Sequence, residues 1–220
     1  MGVCFGRGRE RSGRLQFPFL MTRGELHELG YIVPIATVPS ILQHGILSHR
    51  RAAKLAHASI ADQSVQDLRA NKVVPNGRAL HEYANLYICP RNPMLLRRSN
   101  IHEQICVLRV SHDILDLRNV VITDSNAASK YVRFRSAPEG LAIVDRERTF
   151  AEWWTHEDQI EKWRHSSQKC AEVLVPDVVS ARYIFGAYVS GRAGRERVQG
   201  VAPNLAVAQD PHLFFQRVAA

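Results

Sequence analysis

The chain has no apolar run approaching the roughly 18 to 20 residues that a membrane-crossing helix requires, and its longest apolar stretches are broken by Arg, Asp or Pro. A spanning helix is excluded. Cysteine is scarce: Cys4, Cys89, Cys106 and Cys170 are the four in 220 residues, far apart and with no CxxC pair. They read as small buried apolar side chains rather than disulfide partners or zinc ligands, which fits a reducing cytosol. The ten histidines include no HExxH spacing, and pairs such as His44 and His49 or His156 and His165 lack companion ligands, so no metal is expected. Neither GxGxxG nor GxxxxGKS/T occurs, which removes the two commonest phosphate-binding loops, and no internal repeat is visible.

What is present is the balance of a compact soluble protein, 45% hydrophobic and 23% charged, with 29 Lys+Arg against 21 Asp+Glu. The resulting +8 makes an acidic partner such as nucleic acid worth testing and says nothing about chemistry. Residues 1–20 carry four arginines among few apolar residues and read as a disordered basic arm, either inconsequential or touching nucleic acid, with Met21 an equally good start. Residues 21–220 read as a single domain.

Along that domain the elements are mixed rather than alternating strand and helix. YIVPI from Tyr31 has strand character, and Thr37 to Gly45 reads as a two-turn helix with Thr37 capping, Pro39 in the first turn and Gly45 as the left-handed stop. Asp62 to Asn71 reads as a helix that closes before the Pro75-Asn76-Gly77 turn. Strand character recurs at Tyr83 to Cys89, Ile105 to Val110, Val120 to Thr123, Ala171 to Val175 and Tyr183 to Val189. Asn126 to Arg135 is expected to be a short helix, and Phe150 to Arg164, with Trp153 and Trp154, a longer helical or mixed segment. This order predicts an α+β fold with a central split, largely antiparallel β-sheet and flanking short helices, and argues against a doubly wound nucleotide-binding domain.

Four places carry possible chemistry. Glu172 opens an apolar strand, where alternation puts Glu172, Leu174 and Pro176 on one face and Ala171, Val173 and Val175 on the other. That is a carboxylate at a sheet edge, either solvated or partly desolvated beside a cleft and then usable as a base or cation stabiliser. In Pro90 to Leu96 two prolines fix a loop from which Arg91 and Asn92 project, suited to a phosphate or a base edge, though a plain strand-exit loop needs no function. Asp124 to Phe134 offers Asn126 and Ser129 to a ligand and Lys130, Arg133 and Arg135 to phosphate, or else is a capped helix with a solvated basic face. The helix bearing Gln66 and Arg69 is the fourth, and a surface salt-bridging arginine is its plainer reading.

In order, YIVPIATVPSILQHGILSH, SVQDLRANKVV, YANLYICPRNPMLL, ICVLRV, DSNAAS and CAEVLVPD resemble the DarT family of DNA ADP-ribosyltransferase toxins over about residues 30–190. PRNPML is similar to that family's PRSPML signature and AEVLV to its AEFLV strand. The resemblance implies an ADP-ribosyltransferase-like fold with NAD, as co-substrate, in a cleft between the halves of the sheet. It implies transfer of ADP-ribose to thymine or guanine in single-stranded DNA, and a partner antitoxin that reverses the mark. By position Glu172 matches the catalytic glutamate, and Arg69 the catalytic arginine, with Gln66 as the other candidate for that place. Tyr31, Ile32, Val33, Gly45, Leu47 and Arg69 fall on the NAD-binding positions, and Arg91, Asn92, Met94, Asn126, Ser129 and Arg133 on the DNA track. The family's first-strand histidine is Tyr31 here and its following threonine is Val33; the Tyr31 hydroxyl can still donate a hydrogen bond. An NAD glycohydrolase, an RNA- or protein-directed transferase, and a nucleic-acid-binding module without activity are the alternatives.

Overall fold

The computed structural model describes residues 21–55 and 63–216. The basic arm expected over residues 1–20 and the helix start expected at Asp62 lie outside the described residues. In chain order the strands are β1 (Leu29–Pro34), β2 (Ile46–Leu47), β3 (Tyr83–Tyr87), β4 (Ile105–Val110), β5 (Val121–Thr123), β6 (Phe134–Ser136), β7 (Glu172–Pro176), β8 (Val178–Val179), β9 (Ile184–Val189) and β10 (Val207–Gln209). The α-helices are α1 (Val38–His44), α2 (His49–Ala52), α3 (Gln63–Ala70), α4 (Pro93–Leu96), α5 (Arg146–Phe150), α6 (Gln159–Gln168) and α7 (Arg192–Val201), joined by short 3-10 turns.

Eight strands form one sheet in the order β10-β9-β4-β1-β3-β7-β5-β6, and β2 pairs with β8 beside it. Only β10 runs parallel to its neighbour; the other pairings are antiparallel. The sheet is split, as its sequence pattern implies. β1 pairs with β4 along its whole length from Leu29 to Pro34, yet touches β3 through one pair, Gly30 opposite Tyr87. The pairs that would follow are not made, so the two halves diverge from Gly30 and open a cleft between β1 and β3. Gly30 is required at this pivot: a Cβ there would stand 2.7 Å from the Pro90 Cβ and 3.1 Å from a Val107 methyl, and only glycine lets the strands and the Pro90 loop come that close.

The main core lies on one face of the sheet, where Val33, Leu86, Cys106, Leu108, Ile122, Val173 and Val175 meet Val38 of α1 and Val198 of α7. On the other face Ile32, Ile105 and Val107 pack under Leu95 of α4 and Leu213 and Phe214 of the C-terminal segment. Both faces of the central strands are therefore covered. That explains why β4 and β7 read as nearly continuous apolar runs rather than alternating ones. β7 lies between β3 and β5, so the edge position expected for Glu172 is corrected: the strand is interior, because its partners come from segments distant in sequence.

Two other expectations change. Asn126 to Arg135 is a set of turns leading into β6, with no helix. Its backbone N–H groups are taken by side chains: Ala127 by Glu172 (3.1 Å), Ala128 by Asn126 (2.8 Å) and Arg133 by Asp124 (2.9 Å). Such local bonds compete with the helical ladder, and the β5–β6 hairpin fixes the remainder. Phe150 to Arg164 is the mixed segment of the two alternatives: α5 ends at Phe150, an irregular stretch follows, and α6 starts afresh with Asp158 accepting from the Ile160 and Glu161 amides. Trp154 is buried there and Trp153 exposed. The helix at Thr37 to Gly45 forms as α1, with Pro39 in its first turn and Gly45 at φ 82°. The Thr37 hydroxyl donates back to Pro34 O rather than capping.

Burial sets a pH limit on this core. Burial pushes the Cys106 thiol up to about 12 from the usual 9.0, burial and the neighbouring Glu172 charge do the same for Cys170, and burial raises Tyr31 and Tyr87 in the same direction. A folded-state pKa above the unfolded one gives stability that is whole below the unfolded value and lost as pH rises toward the folded one. Each thiol then removes about 1.4 kcal/mol per pH unit across that window. Urea unfolding should therefore show a loss of about 4 kcal/mol between pH 8 and 10.5. The slope should flatten in Cys106→Ala/Cys170→Ala; an equal loss in that variant would assign it to other groups.

Candidate active site

The cleft opened by the split has a volume of about 470 Å³ and is walled by Tyr31 to Pro34 of β1 on one side and by Tyr83, Asn85 and Tyr87 of β3 on the other. α1, Gly45 and Leu47 close one end, and Arg69, Met94, Asn126, Ser129 and Glu172 complete the lining. Gly45 holds the turn between α1 and β2 where a Cβ would meet Val179 O at 2.4 Å, so the bend into the cleft wall depends on the missing side chain.

At the floor stands Glu172, 1% exposed at the start of β7. Alternation turns Ala171, Val173 and Val175 into the main core and leaves Leu174 in a small cluster with Leu80, Tyr83 and Ala127. Glu172 thus shares the Leu174 face and meets the cleft. Its carboxylate accepts from Arg69 Nη1 at 3.2 Å on Oε1 and 3.0 Å on Oε2, and Oε1 also accepts from the Ala127 amide at 3.1 Å. Arg69, near the C-terminus of α3, is 5% exposed. A buried charge needs a partner and hydrogen bonds, and each of these two supplies the other's. Gln66 also lines the cleft, but the ion pair to Glu172 is made by Arg69.

Three groups that sequence reasoning passed over brace or face this pair. Thr123, fully buried on β5, accepts the Glu172 amide at 3.0 Å and donates to Ser125 O at 2.7 Å, so it ties the base of β7 to the turn carrying Asn126. Tyr87 stands opposite Glu172 across β3 and β7; burial and the Glu172 charge hold its hydroxyl well above the ordinary tyrosine range, and the phenol stays protonated. Lys72 donates to Ser129 O and fastens the end of α3 to the same turn. Arg97, Arg98, His49, Ser166 and Ser167 also line the cleft. The adjacent arginines after PRNPML were the available signal for a cationic wall.

The structure brings together Glu172, Arg69, Tyr31, Ile32, Val33, Gly45, Leu47, Met94, Asn126 and Ser129. It does not bring Arg91, Asn92 or Arg133 to the cleft. Arg91 is 8% exposed; its guanidinium donates to His212 O and stacks over Phe215 at 4.0 Å and Trp153 at 5.4 Å. It clamps the C-terminal segment. Asn92 is fully buried and caps α4, accepting from the Met94 and Leu95 amides and donating to Cys89 O. Arg133 is exposed and paired with Asp124 at 2.6 Å. Rigid the loop is, but its prolines turn these polar groups toward the protein. Among the described residues, no cluster of His, Cys, Asp and Glu is placed to hold a metal ion, and no helix is long and apolar enough to cross a membrane.

The split antiparallel sheet with short flanking helices is the ADP-ribosyltransferase-like fold, shared with solved DNA ADP-ribosyl transferase structures. Residues 31–217 match the model of the family described as "ssDNA thymidine ADP-ribosyltransferase, DarT", and the chain belongs to the DarT family. It is 32% identical over 201 residues to a DNA ADP-ribosyl transferase–DNA ADP-ribosyl glycohydrolase fusion protein of Thermosipho africanus, covering 86% of this chain and 49% of that one. The chain thus spans about half the length of that relative. A DNA ADP-ribosyl transferase of Thermus aquaticus is 30% identical, with 67% of this chain and 68% of that one covered. Among solved structures, the Thermosipho africanus protein in complex with ADP-ribose superposes with TM-score 0.75 at 31% identity, over 86% of this chain and 51% of that one. A Thermus sp. 2.9 DarT in complex with ADP-ribosylated single-stranded DNA gives TM-score 0.77 at 24% identity, over 89% and 99%, and speaks for the fold.

Proposed function

We propose that this chain transfers ADP-ribose from NAD to a thymine base of single-stranded DNA, with Glu172 and Arg69 at the reacting centre. The observation that carries the reading is the buried Arg69–Glu172 pair on the floor of the split, in a chain whose family is described by that reaction. The cleft suits a dinucleotide: its volume of about 470 Å³ is in the range of cofactor sites, and apolar side chains such as Ile32, Val33 and Leu47 alternate in its walls with polar and cationic ones such as Asn85, Arg97 and Arg98. Tyr31, Ile32, Val33, Gly45 and Leu47 are read as the NAD wall, the Tyr31 hydroxyl serving where the resemblance to the family's first strand implies a histidine. Met94, Asn126 and Ser129 are read as the side that meets the base.

The chemistry follows from charge. As the bond from ribose C1' to nicotinamide breaks, its electron pair leaves with nicotinamide and positive charge grows on the ribose. A carboxylate beside C1' stabilises that charge most where water is excluded. The base nitrogen then bonds to C1', and its proton passes to the Glu172 carboxylate acting as general base. Arg69 orients that carboxylate and offers positive charge to the pyrophosphate side. A ring nitrogen paired inside a duplex is out of reach, hence the single strand.

The toxin role, a cytoplasmic site of action and an antitoxin that removes the mark belong to the same reading. The antitoxin is supported by the name of the Thermosipho relative, which joins transferase and glycohydrolase in one chain. Incubation with NAD and oligonucleotides of each base should give a mass gain of one ADP-ribose on thymine-containing single strands and none on duplexes. Steady NAD hydrolysis with no oligonucleotide gaining mass would overturn the reading in favour of a glycohydrolase, and gain on guanine alone would move the target base.

A further inference from the structure

α6 presents two unlike faces. Glu161, His165 and Gln168 pack on α5: Arg148 donates to Glu161 Oε2 and Gln168 Oε1, each at 3.0 Å, and the His165 ring meets Arg148 O at 3.0 Å. On the opposite side Ile160 and Trp163 are 62% and 66% exposed. At helical spacing Trp163 lies three and four residues before Ser166 and Ser167, hence on their face and one turn further out, and both serines line the cleft. The helix end is fixed there, because Ser167 O accepts the Asn126 amide at 2.9 Å, which joins it to the turn that carries Ser129.

An exposed indole one helical turn from the cleft-lining Ser166 and Ser167, on the side of the helix turned away from α5, gives the core nothing. Its place matters for a strand whose target base descends to Glu172, since the neighbouring bases must then lie along the rim. Lys162, exposed beside Trp163, adds positive charge where a backbone would pass, while the exposed Arg164 pairs with Glu161. Resting on the DNA reading above, we infer that Trp163 is a stacking platform for a base next to the target, setting strand affinity and leaving the NAD step alone. An aromatic face accepts any base, so it contributes affinity without sequence preference.

The test uses the full chain and a fluorescent single-stranded oligonucleotide, with binding measured without NAD and transfer measured with it. Trp163→Ala should weaken strand binding and raise the oligonucleotide KM roughly 10- to 100-fold. kcat at saturating strand and the KM for NAD should stay unchanged, and Trp163→Phe should recover most of the loss. Unchanged strand binding in Trp163→Ala would overturn the inference, as would an equal rise in the KM for NAD, which marks a merely structural role. If the parent chain binds strands but transfers nothing, the proposed reaction fails while the platform stands; if it binds no strand, both fall.

Discussion

Glu172→Gln should lower ADP-ribose transfer by about a thousandfold or more, with the chain still folded. General-base assistance and electrostatic stabilisation by a fixed group are each worth roughly 10²-fold or more in rate, and here one carboxylate is asked for both. Glutamine keeps the shape and an oxygen to accept from Arg69 and the Ala127 amide, bonds that Glu172 makes at 3.0 to 3.2 Å. What disappears is the negative charge and the site for a proton. Single-turnover transfer with saturating NAD and oligonucleotide is the measurement, since a drop in kcat with little change in either KM marks an interaction made in the transition state. Activity within tenfold of the parent would remove Glu172 from the chemistry.

The residues that a reader could and could not find in the sequence differ in how far their partners lie along the chain. Periodicity exposed the strands, because alternation and β-branched runs are local signals. The split was legible only as an order of elements; its cause is Gly30, whose neighbours Pro90 and Val107 come from other segments. Glu172 was conspicuous as a carboxylate among Val and Leu, yet its interior position depends on β3 and β5. Arg69 looked like a surface residue of a polar helix, and its burial comes from a partner 103 residues away. Arg91 erred in the opposite direction. A loop between prolines reads as exposed, but the C-terminal segment, 121 residues on, folds over it. Asn126 to Arg135 misread for a chemical reason, since Asp124, Asn126 and Glu172 compete for the amides a helix would use.

The same buried pair predicts the largest loss of stability. Arg69→Met should destabilise the fold by about 3 to 5 kcal/mol at neutral pH, the usual cost of leaving one member of a buried ion pair uncompensated. The pair qualifies because its side chains are 6% and 1% exposed, so the remaining carboxylate would be solvated from the cleft side alone. The loss is one of desolvation rather than of a contact, and this makes the prediction specific. In Arg69→Met/Glu172→Gln no buried charge is left unpaired, so more than half the lost stability should return although one more interaction has been removed. Urea unfolding of the parent, both single variants and the double variant closes the cycle. Additive losses would mean that the two groups do not interact energetically. Recovery in the double variant, which is expected to be inactive, would show that the loss in Arg69→Met comes from the buried carboxylate left without its partner rather than from a missing contact.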